Sequence, residues 1–501
     1  MSSPEELWDS EITPEEDYYR ILGLEDGASP EEVRSAYRDL VRQYHPDAGL
    51  MAGTSLLFRR IQQAYETLRD LERRQEYDAA LRRKGMRPPL LLDINLTLGP
   101  TQLLSLDEVQ LLYVLIKITP IGQQPVPRTP LNLALVIDRS TSMKGERLSA
   151  VREATLSLVN QLEPEDTFSL VSFSDRSEVK VQAQRQPDKR ALRTILQALH
   201  AGGGTELYQG LMAGLSEVRR AWSDQQINHV ILLTDGHTYG DAEKCLRAAQ
   251  AAAQQNIGIS CIGIGNDWNE DFLDHLSAAG GGMTMYIERA DNLGEAFERR
   301  LRDLKDAWIP DMTLNLQYDP RATHKEIFSI APELMRLSEY NGQFMIGPLQ
   351  RTDERLLLLE VLVSPMREGR HRLLQVEIQG SVPASGGKTR RRRAVWVECT
   401  ASHQTRPLMP NTIIEAAQRV NMLRLQERAF QEAQQGKLAA ASQRLQTVAT
   451  HLLHAGQGEL ASAFQEEADR LLAAGSFTRG SLKKLRYGTR SLVWEKGEND
   501  R

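Results

Sequence analysis

The sequence predicts a multidomain chain: an all-α N-terminal unit, then a doubly wound, Rossmann-like α/β unit inserted in a β-sandwich, then C-terminal α-helices. Three observations predict it. The 501 residues amount to about three units at roughly 150 residues each, too many for one core. The apolar period shifts along the chain, from helical spacing, to alternation, to apolar strands interleaved with amphipathic helices, and back to helical spacing. Strand-rich stretches flank the interleaved region on both sides, which places that region inside a sandwich assembled from the two flanks. The expected division is an all-α unit over 15–82, a linker over 83–89, the first part of the sandwich over 90–126, the α/β unit over 127–307, the second part of the sandwich over 308–402 and a helical region over 411–490.

The N-terminal helices follow from Val33, Ala36, Tyr37, Leu40, Val41 and Tyr44, and from Leu57, Phe58, Ile61, Ala64, Tyr65 and Leu68, both sets at helical spacing. Ser29 can cap the first helix, Pro30 suits its first position and Glu32 completes a capping box. Its end is set by Pro46, which biases His45 away from helical geometry. A basic stretch from Arg82 closing on Pro88-Pro89 then leads to strands over Leu90–Leu98 and Val109–Ile118. From Leu131 the pattern gives strands at Leu131–Ile137, Thr167–Phe173, His229–Leu233, Ile257–Ile264 and Met283–Ile287. The helix after the first of them turns Leu148, Val151, Thr155, Leu158 and Leu162 inward. Short strands resume from Met312 to Cys399 with turns at Asn341-Gly342 and Glu368-Gly369, before helices rich in Ala, Gln and Leu. Those helices offer too few repeats for a freestanding solenoid and should pack on the sandwich or pair with a partner helix.

Composition excludes several classes. With 61 Lys+Arg against 67 Asp+Glu the net charge is −6, which argues against nucleic-acid binding through a global positive field. Apolar residues at 41% place the chain among folded globular proteins rather than disordered ones. Three unpaired cysteines, Cys245, Cys261 and Cys399, offer neither a disulfide framework nor a CxxC site. The opening Met-Ser-Ser-Pro-Glu-Glu has no apolar h-region, and the Leu356–Val363 run is too short to span a bilayer and is broken by Glu360, so a cytoplasmic location without a transmembrane segment is expected.

The first constellation is His45-Pro46-Asp47, a turn held rigid by proline beside a helix bearing Arg34, Arg38 and Arg42. No nucleophile accompanies the imidazole, so it points to binding and not to catalysis. Together with Asp17-Tyr18-Tyr19-Arg20-Ile21-Leu22-Gly23-Leu24, Ala36-Tyr37-Arg38, Ala64-Tyr65-Glu66 and Tyr77-Asp78, it resembles the J-domain of DnaJ-type co-chaperones. The resemblance implies docking on, and stimulation of, a DnaK-type heat-shock ATPase through Arg34, Tyr37, Arg38, His45, Pro46 and Asp47. The sequence departs from the family pattern at Asp39 and at Ala48-Gly49. The plainer alternative is that the turn only terminates a helix.

The second constellation is Asp138-Arg139-Ser140-Thr141-Ser142 after an apolar strand, Thr205 after Gly202-Gly203-Gly204, and Asp235 after another strand. All should meet beyond the carboxyl ends of the strands. Two carboxylates and three hydroxyls form a hard oxygen set suited to Mg²⁺, with Mn²⁺ or Ca²⁺ as alternatives. The plainer alternative is a set of turn-favouring residues at a strand mouth. The pattern resembles the metal-ion-dependent adhesion site (MIDAS) of the von Willebrand factor type A (VWA) domain. That resemblance implies Ser140, Ser142 and Thr205 at or near the metal, Asp138 and Asp235 acting through water or directly, and a carboxylate from a partner protein completing the shell.

Other signals are weaker. Gly386-Gly387-Lys388-Thr389 lacks the leading glycine and the strand-to-helix frame of a P-loop. Lys388 and Arg390–Arg393 lack interleaved aromatics and are expected to form a solvated hairpin shoulder rather than a nucleic-acid patch. His451 and His454 have no companions at ligand spacing. The expectation is a non-enzymatic co-chaperone and adaptor: the J-domain engages a DnaK-type chaperone, and the VWA domain captures a protein partner through a metal. The alternative is a VWA scaffold subunit of an AAA-type ATPase or another assembly, with the J-domain as a docking arm.

Overall fold

The computed structural model describes residues 17–24, 28, 30–44, 54–83, 91–121, 128–236, 240–385, 387–401 and 408–492. The N-terminal unit comprises α1 (Tyr18–Ile21), α2 (Pro30–Tyr44), α3 (Thr54–Arg69) and α4 (Leu71–Arg83). Tyr19, Val33, Ile61, Ala64, Leu68, Tyr77 and Leu81 form its core, the apolar faces predicted by spacing. Its ends are tied by polar bonds: Tyr77 Oη accepts from Tyr18 N at 2.8 Å, Arg74 Nε donates to Tyr19 Oη at 2.8 Å, and Arg74 Nη2 donates to the Ala28 carbonyl at 2.6 Å.

The sandwich begins with β1 (Leu92–Gly99), β2 (Gln102–Leu104) and β3 (Gln110–Pro120). The chain then leaves to build the α/β unit: β4 (Leu131–Asp138), α5 (Glu146–Asn160), β5 (Thr167–Phe173), β6 (Ser177–Arg185), α6 (Lys189–Gln197), α7 (Leu207–Arg220), β7 (Ile227–Thr234), α8 (Ala242–Ala253), β8 (Ile257–Ile264), α9 (Glu270–Ala279), β9 (Gly281–Ile287) and α10 (Leu293–Lys305). Leu162, expected inside the first of these helices, lies just beyond its end and packs against the same core. The sandwich resumes with β10 (Ala307–Tyr318), β11 (Ala322–Ala331), β12 (Met335–Arg336), β13 (Glu339–Tyr340), β14 (Gln343–Gln350), β15 (Arg355–Val363), β16 (Gly369–Val382) and β17 (Gly387–Thr400). Helices α11 (Asn411–Gln434), α12 (Leu438–His454), α13 (Gly458–Ala474) and α14 (Arg479–Arg490) follow.

Register shows the insertion directly. Ile116 of β3 faces Leu96 of β1 on one side and Leu357 of β15 on the other, although the whole α/β unit separates β3 from β15 in sequence. One sheet runs β1-β3-β15-β11-β12 and the other β13-β14-β10-β16-β17-β2. The inner faces bury Leu112, Val114, Leu357, Leu359, Val376 and Val397, while Leu115, Phe328, Leu356 and Leu358 on the outer face of the first sheet pack against the C-terminal helices. That double burial explains the near-continuous apolar run of β15. Glu360, which interrupts the run, is buried against Arg424 of α11 at 2.6 and 2.9 Å.

The α/β sheet has the order β6-β5-β4-β7-β8-β9, parallel throughout except for the antiparallel edge strand β6. β4 is buried at every residue, with one apolar layer against α5 and α10 and the other against α7, α8 and α9. The three cysteines are buried and free. Burial pushes the Cys245 thiol up to about 12, which makes it unreactive.

The basic run at 388–393 is the shoulder of the β16–β17 hairpin, with Lys388 and Arg390 exposed and Arg391, Arg392 and Arg393 partly buried. Arg391 and Arg393 pair with Asp93 of β1, while Arg390 and Arg392 pair with Glu377 of β16. Four of its charges, those of Arg390 to Arg393, are thus paired with carboxylates of neighbouring strands. Lys388 and Thr389 lie in the same strand, not at a helix entrance, and His451 and His454 sit in the last turn of α12, exposed.

Candidate functional site

Strand order positions the sheet mouth. β4 delivers Asp138 to its carboxyl end, where β5 sets Phe173 beside it and β7 ends one residue before Asp235. Two carboxylates and a loop of small residues therefore converge at the point where the chain direction switches between neighbouring parallel strands. Asp138 Oδ1 accepts from Ser140 N at 2.8 Å, which closes the tight turn after the strand, and Oδ2 accepts from Thr234 Oγ1 at 2.6 Å. Ser142 Oγ donates to Asp235 Oδ1 at 2.6 Å and lies 3.1 Å from Ser140 Oγ.

The third loop is tied across this mouth by backbone bonds. Gly202 N donates to the Arg139 carbonyl at 2.8 Å, Thr141 N and Oγ1 donate to the Gly203 carbonyl at 3.1 and 3.0 Å, and Gly204 N donates to Asp175 Oδ1 at 2.7 Å. These bonds carry Thr205 over the carboxylates. A Cβ placed on Gly236 would lie 3.1 Å from Thr205 Oγ1 and 3.8 Å from Asp138 Oδ2, so glycine at 236 is what permits the close approach. All five residues expected at the mouth come together there.

Asp138 and Asp235 are wholly buried. Burial pushes the Asp138 carboxyl up to about 6 against the opposing hydrogen bonds from Thr234 and Ser140, and neighbouring Asp235 adds to the rise. Such a pair calls for a cation. Arg147, on the first turn of α5, supplies one by donating Nη1 to Asp235 Oδ2 and, at 3.3 Å, to the Ser142 carbonyl. Among the described residues no group of three or more His, Cys, Asp or Glu is placed to share a metal, so an ion at this mouth depends on its hydroxyls. The oxygen set and the tight cradle at Gly236 fit a hard divalent ion.

The helical unit presents a different surface. Arg34 and Arg38 are exposed on α2, with Arg38 Nε 3.4 Å from the Arg34 carbonyl. Tyr37, expected among the contact residues, is partly buried, its ring stacked on Tyr65 at 3.9 Å and 8°. His45, Pro46 and Asp47 lie outside the described residues, as does Ser29, the residue expected to cap α2. Near the start of α2, Glu32 Oε1 accepts from Trp396 Nε1 of β17 at 3.3 Å, which brings the helical unit against the sandwich.

Sequence reasoning passed over Thr234, Asp175 and Arg147. Thr234 carried a signal, a hydroxyl directly before Asp235 at a strand end; Asp175 and Arg147 carried none, because their bonds span distant segments. It also passed over a clasp beside the mouth. Lys483 of α14 is buried, donates to the carbonyls of Asn266 at 3.0 Å and Trp268 at 2.6 Å, and lies 4.0 Å from the centre of the Trp268 ring. Tyr487 Oη and Arg490 Nη1 bind Asp274 Oδ1 at 2.9 and 2.8 Å, fixing α14 against α9.

A parallel sheet with an oxygen-lined mouth, inserted in a sandwich and preceded by a small helical unit, is the architecture of a multidomain chain built around a von Willebrand factor type A fold. Comparison with known proteins makes this specific. Residues 132–299 match the von Willebrand factor type A domain, 17–78 the DnaJ domain and 411–495 the Sll0103-like, C-terminal alpha-helical domain. The chain therefore carries a DnaJ domain and a VWA domain, the combination of a chaperone-related protein-interaction adaptor. The protein sll0103 of Synechocystis sp. is 29% identical over 374 residues, 73% of this chain and 89% of that protein. Human inter-alpha-trypsin inhibitor heavy chain H3 is 31% identical over 33% of this chain, which spans only 20% of that protein. The chaperone protein DnaJ of Hydrogenobacter thermophilus is 46% identical over 69 residues, 14% of this chain and 19% of that protein. Among solved structures, the von Willebrand factor type A protein from Catenulispora acidiphila superposes with a TM-score of 0.67 at 19% identity, covering 81% of this chain and 98% of that one, a likeness of fold. Among the described residues no helix is long and apolar enough to cross a membrane.

Proposed function

We propose that this protein is a targeting co-chaperone: its VWA domain captures a protein partner through a divalent ion, Mg²⁺ by preference, and its J-domain stimulates a DnaK-type ATPase to act on that partner. The observation that carries the reading is the presence, in one chain, of an exposed basic face on α2 and a buried oxygen cluster at the sheet mouth that share no residue. Asp138, Ser140, Ser142, Thr205 and Asp235 would hold the ion. When bound, it would supply an open coordination position for a partner carboxylate. Ser140 and Ser142 are oriented by the turn that Asp138 closes, and Thr205 by the backbone bonds to Arg139, Thr141 and Asp175. Arg34 and Arg38, with the His45-Pro46-Asp47 turn, would meet the chaperone. No catalysis is assigned to the chain itself, and the cytoplasm, where DnaK-type chaperones work, is the proposed location.

Single-turnover ATP hydrolysis by the DnaK-type chaperone of the same cell tests the first half, with wild type and His45→Gln compared. Stimulation by the wild type alone is expected. Stimulation by neither would remove the co-chaperone role and favour the reading as a scaffold subunit in a larger ATPase assembly. For the second half, partner retention should require Mg²⁺ and Asp138, and retention in EDTA equal to that in Mg²⁺ would end the ion-dependent reading.

A further inference from the structure

We infer that Arg147 is an internal competitor of the ion, a tethered cation that must leave Asp235 before a divalent metal can be held at the sheet mouth. The inference rests on the ion-binding reading above and names the residue that sets its threshold. Asp235 has both carboxylate oxygens engaged: Oδ1 accepts from Ser142 at 2.6 Å and Oδ2 pairs with Arg147. A divalent ion drawing on Asp235 would stand within a few ångströms of the guanidinium, and two like charges at that distance on a buried carboxylate repel strongly.

The placement of Arg147 is built rather than incidental. Gly265, at the end of β8 with φ of +71°, leaves room for the guanidinium: a Cβ there would come within 2.8 Å of Arg147 Nη2 and 3.2 Å of Cζ. The Ser142 carbonyl takes a second, longer bond from the same nitrogen. Arg147 also keeps a way out, since its side chain is 30% exposed whereas that of Asp235 is fully buried. A guanidinium at the rim of a buried carboxylate can swing to solvent at little cost in its own hydration, and Asp235 then needs another cation at once. Arg147 and the ion are thus alternative partners of one carboxylate, and their binding is negatively coupled.

Calorimetric titration of the full chain with MgCl2, paired with thermal melts in EDTA and in Mg²⁺, tests this on wild type, Arg147→Met, Arg147→Lys and Asp138→Ala. Arg147→Met should bind Mg²⁺ about tenfold more tightly than wild type. It should melt at a lower temperature in EDTA, because Asp235 has lost its partner, and show a larger rise on adding Mg²⁺. Arg147→Lys, which keeps the charge and loses the planar fork, should fall between. An Arg147→Met affinity equal to or weaker than wild type, with Asp138→Ala silent, would overturn the inference and leave the ion site standing. No Mg²⁺ uptake by wild type or Arg147→Met would overturn the ion site itself, and the inference with it.

Discussion

The J-domain face and the VWA mouth are both candidate binding sites, yet they are built in opposite ways. On α2 the charged groups Arg34 and Arg38 project from a helix whose stability resides on its other side, in Val33 and its neighbours. At the mouth Asp138, Ser140 and Asp235 are buried and bonded to one another and to the loops that carry them, so the binding groups are also structural members. Function and folding should therefore separate under mutation in the first site and fail together in the second.

The sharpest test is Asp138→Ala. It orphans the Ser140 N–H and the Thr234 hydroxyl, each worth about 1–3 kcal/mol when left unpaired in a buried site. We expect both a lower melting temperature and complete loss of any Mg²⁺-induced rise; a normal Mg²⁺ response would break the comparison. Next in size is Lys483→Met, which leaves the Asn266 and Trp268 carbonyls without their charged donor. A loss of about 3 kcal/mol in urea unfolding is expected, with stimulation of the DnaK-type ATPase unchanged. A coupled loss of stimulation would show that the two sites are not independent.

A smaller effect comes from His229, buried between Ser260 at 2.9 Å and Arg300 at 3.3 Å, where burial and the guanidinium hold its pKa well below the ordinary value. The unfolded chain takes up a proton near pH 6.5 that the folded chain refuses. This contribution to stability is therefore complete above that pH and is lost as pH falls, by about 1.4 kcal/mol per unit below 6.5. Stability measured from pH 7 to 5 should show that slope, and His229→Gln should flatten it; an unchanged slope would assign it elsewhere. The smallest stability effect belongs to the double substitution Arg34→Glu, Arg38→Glu. It should lie within about 0.5 kcal/mol of wild type while stimulation falls at least tenfold. Unfolding of the J-domain by this pair would erase the contrast.

The same contrast explains what could be read from sequence. Apolar strands such as β4 and the hydroxyl-rich loop after Asp138 are local patterns, and the flanking strand-rich stretches led to the inserted sandwich seen in the Ile116–Leu357 register. The edge strand β6 does alternate, with Val179, Val181 and Ala183 between polar residues, but it buries only Val181 and so carries little apolar weight beside the continuous runs of the central strands. Arg147, Asp175 and Lys483 were illegible for a different reason. Each is an ordinary charged residue in its own segment and acquires its role only from a distant group: the Asp235 carboxylate for Arg147, the Gly204 N–H for Asp175 and the Asn266 and Trp268 carbonyls for Lys483. Tyr37 is a contact residue by its motif, whereas its partly buried ring is stacked on Tyr65, a pairing that no local pattern announces.

The Lys483 clasp joins residues 217 and 215 positions apart. At about 5–20 residues per second, a ribosome needs roughly 10–40 s to make the intervening chain. During that interval the loop after β8 exists without its lysine, its carbonyls hydrated, while the J-domain has long since emerged. A nascent chain thus displays its whole DnaJ domain before the helix that carries Lys483 can close over the loop after β8.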